Sequence, residues 1–369
     1  MTSFALGPLS LTGGKIDRGG ADRRRQEWLD AALAAPDTRV IAVVRGTTPV
    51  RRTGPDAALA APRLADLPGG PGGQALAAAR STVWIGRVDG VDWVGADFAE
   101  EPDWFAALGE RGDLRKDGTG LSRTEAALLT QTIAVTTWHA TSAYCPGCGA
   151  ATDVIDAGWV RVCPVEGTEH FPRTDPAVIV LVTDAQDRVL LGANAAWGGA
   201  RYSCFAGFVE PGESLEEAVI REVGEEAGLA VTEPRYLGSQ PWPFPRSLML
   251  AFAARAESTR TDVDGEEIVA ARWFSREELA AAVSSQQIGV PGDVSVAGAM
   301  LRAWYGGALP GDEPAGDGPA GDKAVGGDGA GRDGRSTATG AAQAGHAASG
   351  SEDAAAASGR SHAQEGEPR

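Results

Sequence analysis

From Gly207 to Leu229 the chain reads Gly-Phe-Val-Glu-Pro-Gly-Glu-Ser-Leu-Glu-Glu-Ala-Val-Ile-Arg-Glu-Val-Gly-Glu-Glu-Ala-Gly-Leu. No other stretch restricts the fold so tightly, because it sets a turn, a helix and a crowd of acidic side chains in fixed order. After Pro211 and Gly212, Ser214 is placed to cap a helix, and Glu217 three residues on completes a capping box. Gly228 suits the helix stop. Within that helix Glu222, Glu225 and Glu226 fall at i, i+3 and i+4, so their carboxylates share a face. Like charges at this spacing destabilise a bare helix by about 0.2–0.5 kcal/mol per pair. A hard divalent cation turns the same repulsion into a ligand set, since Mg²⁺ takes carboxylate oxygens together with substrate phosphates. Taken alone, three glutamates still read as a solvated acidic helix.

The full spacing says more than its glutamates. Gly207, five residues, Glu213, seven residues, then Arg221-Glu222-Val223-Gly224-Glu225-Glu226-Ala227-Gly228-Leu229 follows G-x5-E-x7-R-E-U-x-E-E-x-G-U at every defined position, U being a bulky apolar residue. In this the chain resembles the Nudix hydrolases. The resemblance implies metal-dependent attack of water on a diphosphate linkage, with Glu222, Glu225 and Glu226 as metal ligands and one of them also positioning the water. It implies that Arg221 orients a neighbouring carboxylate and that Glu213 supports the loop–helix geometry.

A chain of 369 residues accommodates two or three domains. Its net charge of −17 argues against a nonspecific grip on a nucleic-acid backbone, but not against a small anion held through cations. There is no run of 18 apolar residues to span a membrane, and the start, Met-Thr-Ser-Phe-Ala-Leu, lacks the form of a signal peptide. The expectation is a soluble, cytoplasmic protein without a membrane partner. From Pro310 onward there is no Phe, Trp, Tyr, Ile, Leu or Met. Such a segment cannot bury enough apolar surface to offset its ordering entropy, so 309–369 is expected to be a disordered tail.

Residues 1–140 read as a mixed α/β domain. Glu27–Leu33 looks helical, Thr38–Arg45 and Thr82–Val88 read as strands, and Glu125–His139 as a long helix. Gly70-Pro-Gly72-Gly-Gln-Ala75, with Asp89 downstream, imitates a dinucleotide fingerprint. It is rejected, because no strand precedes it and too few residues follow for a crossover helix.

Residues 141–173 form a different kind of segment. Cys145-Pro-Gly-Cys148, then fourteen residues beginning with Gly149, then Cys163, resembles a zinc ribbon. Position 166, where the fourth ligand is expected, is Glu166, and His170 lies a little further on. Both are chemically allowed; His170 is taken ahead of Glu166 as the fourth ligand, and a ribbon that has lost its zinc remains open. Cys204 reads as a core residue. Within 174–308, Ala177–Val182, Arg188–Gly192, Tyr202–Phe208, Leu248–Arg255 and Ala270–Phe274 read as strands around the embedded helix. This fits the α/β/α sandwich that the resemblance implies.

Ser239-Gln-Pro-Trp-Pro-Phe-Pro-Arg-Ser-Leu-Met249 narrows the substrate. Prolines alternating with Trp242 and Phe244 stiffen the backbone toward an extended form. The rings then either stack on a flat ligand, worth roughly 1–3 kcal/mol per base, or pack into a core. The residues leave both open. A run S-Q-P-W-P-F-P-x-S downstream of the box, together with the Cys ribbon, resembles the NADH pyrophosphatase (NudC-type) group of Nudix hydrolases over roughly residues 140 to 305. The N-terminal region resembles that group's own N-terminal domain only weakly. The resemblance implies hydrolysis of NAD(H) to nicotinamide mononucleotide and AMP, removal of NAD caps from RNA ends, Mg²⁺ or Mn²⁺ as cofactor, structural Zn²⁺, and a homodimer. It carries substrate contacts onto Phe208, Gln240, Trp242, Phe244, Ser247 and Ala297 of Ser295-Val-Ala297, and a further metal ligand onto Glu267. Phe171 stands where a Tyr is common, so only ring packing is expected there. The alternatives are a Nudix hydrolase of ADP-ribose, coenzyme A or a diadenosine polyphosphate, and a nucleotide-sensing protein on the same scaffold. The latter commonly lacks box glutamates, and this chain keeps them all.

Overall fold

The β-branched run at Arg39–Val44 forms a central strand of the first of three sheets. The computed structural model describes residues 5–310 except 21, 25–26, 72–73, 196–199 and 264, so the tail expected from 309 lies, beyond residue 310, outside the described residues. In chain order the N-terminal part comprises α1 (Glu27–Ala34), β1 (Arg39–Val44), β2 (Thr47–Thr53), β3 (Asp56–Leu59), β4 (Ala79–Val88), β5 (Val91–Phe98), the single turn α2 (Phe105–Leu108), β6 (Glu110–Asp113), the single turn α3 (Leu114–Asp117) and α4 (Arg123–Thr141). The sheet runs β3-β2-β1-β5-β4 with β6 against β2, and only β1–β5 is parallel. Between β3 and β4 the described residues form 3-10 turns at Leu64–Asp66 and Gln74–Leu76, not a crossover helix, as the rejection of the glycine fingerprint requires.

Helix α4 starts at a capping box formed by Ser122 and Glu125 and lays Leu128, Leu129 and Ile133 against Ile41, Val83 and Ile85. It also buries hydroxyls, which it can do because each bonds back one turn: Thr130 to Ala126 O (2.7 Å), Thr132 to Leu128 O (2.8 Å) and Thr136 to Thr132 O (2.8 Å). At its end His139 fastens the next segment, the antiparallel β7 (Asp153–Ile155), β8 (Val160–Val162) and β9 (Glu169–His170). Its Nε2 lies 2.8 Å from Gly158 O and its Nδ1 3.0 Å from Arg161 Nη1. Arginine can only donate, so Nδ1 accepts and Nε2–H donates.

The C-terminal part comprises β10 (Asp175–Thr183), β11 (Val189–Asn194), β12 (Tyr202–Ser203), β13 (Phe205–Phe208), α5 (Leu215–Ala227), β14 (Val231–Trp242), β15 (Ser247–Ala256), β16 (Ile268–Phe274), α6 (Arg276–Ser284) and α7 (Val296–Tyr305). Its sheet runs β12-β11-β10-β15-β14, with β13 added to β10 and β16 to β11. Strand β10 is buried along both faces because successive side chains alternate. Val178, Val180 and Val182 meet Ala218, Val219 and Val223 of α5, whereas Ile179 and Leu181 meet Leu279 of α6 and Met300 and Leu301 of α7. Each such side chain contributes about 1.5–3 kcal/mol when fully buried. The result is the expected α/β/α sandwich.

Four features depart from the sequence reading. The run Tyr202–Phe208 is not one strand: it breaks at Cys204, so that β12 pairs with β11 and β13 with β10. The proline–aromatic segment is not a loop but the end of β14, a tight hairpin and the start of β15, with Gln240 opposite Met249 and Trp242 opposite Ser247. Its prolines are tolerated because β14 is an edge strand. The two halves also interlock. Leu9 is buried in the core of the C-terminal sheet and Leu11 in that of the first, while Trp242, Phe244 and Val294 pack on the first core. Leu309, expected at the start of the tail, is buried among the α7 residues. Among the described residues no helix is long and apolar enough to cross a membrane.

Candidate active site

Helix α5 begins and ends where its sequence predicts. Ser214 Oγ accepts from Glu217 N (3.3 Å), the Glu217 carboxylate accepts from Ser214 N (2.8 Å), and Gly228 closes the helix at φ 61°. The apolar face docks on the sheet and turns Glu222 and Glu226 inward, where both are buried, while Glu225 stays exposed. The Glu222 carboxylate comes to lie over Gly207 of β13, 2.0 Å from where a Cβ would stand. Only glycine leaves that seat open.

One guanidinium organises the cluster. Arg221 donates to both oxygens of Glu213 (2.7 and 2.9 Å), to Glu222 Oε1 (2.9 Å), to Glu225 Oε2 (3.1 Å) and to Phe208 O (2.9 Å). It thereby ties the loop, the end of β13 and two carboxylates of the helix together. Glu213 also accepts from Glu210 N (3.0 Å), and Arg221 holds its carboxyl below the usual carboxylate range. Glu222 is pushed the other way, chiefly by burial, against the pull of Arg221 and with the charges of Glu225 and Glu267 adding to the shift. Glu267 thus belongs to the same electrostatic neighbourhood; it sits exposed just before β16, where its carbonyl accepts from Ala195 N (2.9 Å). Buried, mutually repelling carboxylates over a glycine seat are the donor set a hard divalent cation takes.

The ribbon has a tighter metal set. Cys145, Cys148, Cys163 and Glu166 bring their ligand atoms all within 4.8 Å of one another, the one such group among the described residues. Cys148 Sγ lies 3.4 Å from Cys163 Sγ, and Cys145 Sγ lies 3.4 Å from Glu166 Oε2. The amides of Glu166 and Val165 hold the Cys163 thiol below the ordinary thiol range. The structure gathers Glu166, and not the expected His170, with the three thiols. His170 lies on β9 opposite Arg161, whereas Glu166 closes the second knuckle after Cys163, where the turn at Gly167 (φ 69°) brings it back. Three thiolates and one carboxylate form an accepted tetrahedral donor set for zinc.

A cavity of about 250 Å³ opens beside α7, lined by Gln240, Trp242, Ser295, Ala297, Met249 and Cys204 among others. Trp242 and Ala297 line this one pocket together. Gln240 lines it but has no free amide: it donates to Ser10 O (2.8 Å) and Val294 O (2.9 Å) and accepts from Val296 N (2.7 Å). It fixes the start of α7 and the N-terminal segment rather than reaching for a ligand. Phe244 is turned away into the N-terminal core, edge-on to Trp242 (5.1 Å) and beneath the Arg115 guanidinium (4.0 Å). Ser247 is buried at the start of β15. Phe208, 56% exposed, flanks a separate groove with Arg173, Thr174 and Glu210, and Phe171 is 61% exposed. Sequence reasoning missed Ser203 and Met249 as pocket residues and took Cys204 for core alone. Cys204 is buried as expected, which pushes its thiol up to about 12, yet it also lines the cavity.

A carboxylate-bearing helix bound by one arginine on an α/β/α sandwich, with a cavity on the α7 face of the same sheet, defines a hydrolase of the Nudix type. The comparisons agree: residues 173–290 match the model described as NUDIX domain and residues 140–171 the one described as NADH pyrophosphatase zinc ribbon domain. A Mycobacterium bovis protein named NAD-capped RNA hydrolase NudC is 39% identical over 299 residues, 77% of this chain and 91% of that one. A Mycobacterium tuberculosis protein of the same name is 38% identical over the same span, with the same coverage of both chains. The human NAD-capped RNA hydrolase NUDT12 is 37% identical over 196 residues, 50% of this chain and 42% of that one. The chain belongs to the Nudix family.

Proposed function

We propose that this protein hydrolyses the diphosphate bond of NAD(H), giving nicotinamide mononucleotide and AMP, and that it removes the NAD cap from RNA ends. The observation that carries this reading is the cluster in which Arg221 binds Glu213, Glu222 and Glu225, with Glu226 buried on the same helix, in a chain similar along most of its length to NAD-capped RNA hydrolases.

Glu222, Glu225 and Glu226, with Glu267 assisting, would hold Mg²⁺ or Mn²⁺, which would supply charge neutralisation of the diphosphate and ease deprotonation of the attacking water. Arg221 keeps the Glu222 and Glu225 carboxylates aimed by spending its own donors on them and on Glu213. A base seated against Trp242 and Ala297 fixes one nucleotide, and Phe208 offers an exposed ring to the other; holding both ends makes the attack effectively unimolecular. Gln240 contributes indirectly, by setting the α7 wall of the pocket. Zinc held by Cys145, Cys148, Cys163 and Glu166 would be structural, since these four side chains would supply a full set of protein ligands.

The exposed apolar side chains Tyr144, Val165 and Phe171 along the ribbon support a homodimer that covers them. Four free cysteines, three of them gathered for a metal, suit the reducing cytoplasm. Product analysis tests the activity: NADH, ADP-ribose, coenzyme A and a diadenosine polyphosphate are offered side by side with each metal and with a chelator. NADH is expected to be cleaved fastest, with AMP appearing only when metal is present. A preference for any of the others, or AMP release in chelator, defeats the proposal.

A further inference from the structure

A second cavity, of about 390 Å³, lies across the end of β14 from the first: Pro241 lines the second, while its neighbours Gln240 and Trp242 line the first. That volume falls in the range of small-molecule sites. Its lining includes two arginines, Arg18 and Arg173, and no Asp or Glu, in a chain whose net charge is −17. Arg18 is exposed and makes no ion pair among the described residues. Arg173 pairs with Asp175 (2.7 Å), but Arg246 shares that carboxylate (2.7 Å), so the local balance stays positive. The inner wall carries an unusual polar group. Gln131 of α4 is 6% exposed; its amide nitrogen donates to Ile85 O, and its Oε1 is buried without a hydrogen-bond partner. A buried acceptor left unpaired is costly and uncommon, and it invites an N–H from something else. Around it Leu11, Ala134, Val135 and Trp159 supply apolar wall, with Thr130 of α4 among them. Arg173 and Thr174 also line the groove of Phe208 and Glu210, so the cavity opens toward the loop of the glutamate-bearing helix.

We propose that this cavity is a second nucleotide site, taking a nucleoside 5′-monophosphate unit with its phosphate on Arg18 and Arg173, its base on the apolar wall and a base N–H donated to Gln131 Oε1. Guanidinium donors suit phosphate oxygens, and the amide oxygen suits an amino or imino group. In capped RNA this unit is the nucleotide that follows the NAD cap, an assignment that rests on the function proposed above; free AMP has the same chemistry.

The full chain is tested with two probes, AMP alone and NADH set against an NAD-capped trinucleotide. Arg18→Ala removes an exposed side chain outside both cores, and Gln131→Met keeps the volume of the buried one. In each variant kcat/KM for the capped trinucleotide is expected to fall roughly tenfold, the effect of one lost charge-assisted or buried contact, while NADH turnover stays within about twofold. If instead the number of AMP molecules bound per chain falls by one while trinucleotide turnover holds, the site stands and its occupant is the free mononucleotide. If neither AMP binding nor trinucleotide turnover changes in either variant, the proposal is overturned. Wild-type protein that cleaves neither NADH nor capped RNA would defeat the proposed function alone, because AMP binding reads this cavity separately.

Discussion

The carboxylate of Glu222 rests on Gly207, with 2.0 Å between it and the place a Cβ would take. Helix and strand therefore meet at a point where one has a buried charge and the other has no side chain. Gly207→Ala forces the carboxylate, and with it the Arg221 hydrogen bond at 2.9 Å, out of place. Overpacking of this kind costs about 1–3 kcal/mol. We expect a stability loss of that size in urea unfolding, together with a fall in metal-dependent AMP release of at least about a hundredfold, since misplacement near the chemistry by about 1 Å costs that much. A variant with wild-type activity would show that Glu222 need not sit there.

Glu226 is buried on the same helix one turn beyond Glu222. Glu226→Gln keeps the shape and removes the charge. The variant is expected to unfold at nearly the wild-type temperature yet to lose turnover, because a neutral amide cannot serve a cation that has to activate water. Retention of more than about a tenth of the wild-type rate would remove Glu226 from the metal site.

The ribbon makes a separate prediction, read by metal content rather than by activity. Cys145→Ser and Glu166→Ala should each lower bound zinc after dialysis, whereas His170→Ala should leave it at the wild-type amount, since His170 is not among the converging groups. Glu166→Cys should bind zinc more firmly, thiolate being the softer ligand. Zinc lost in the His170 variant and kept in the Glu166 variant would restore the sequence-based choice.

That choice shows where reading the chain ran out. Helix α5, its caps and its acidic face were legible because periodicity and capping are local. The ribbon cysteines were legible by spacing, but not their fourth partner, which depends on how the second knuckle turns at Gly167. Trp242 and Phe244 look alike in sequence and both pack on the first core, yet the packing of the two halves leaves only Trp242 lining the cavity as well. Gln240 lies in a motif that implies ligand contact, yet its amide is consumed by Ser10, Val294 and Val296, partners far away along the chain. The insertion of Leu9 into the second core had no local signal, for a single leucine in an irregular segment has no period. Arg221 combines both cases: its place in the motif was plain, but its five contacts appear only once loop, strand and helix converge.

The joint between α4 and the ribbon should be sensitive to acid. Burial lowers the His139 pKa from 6.5 to about 4, because the charged imidazole would have to sit in the interior facing the Arg161 guanidinium. A base with a depressed folded pKa takes up its proton in the unfolded chain first. Its contribution to stability is therefore complete above about pH 6.5 and is lost as pH falls toward 4. At about 1.36 kcal/mol per unit, the loss over that window reaches about 3 kcal/mol. His139→Gln abolishes this titration while leaving an amide near Gly158 O and Arg161. The variant should be less stable than wild type at about pH 7.5, and the gap in unfolding free energy should narrow steadily on acidification to about pH 4.5. A gap that stays constant across this range would mean that His139 is protonated, or solvated, in the folded protein.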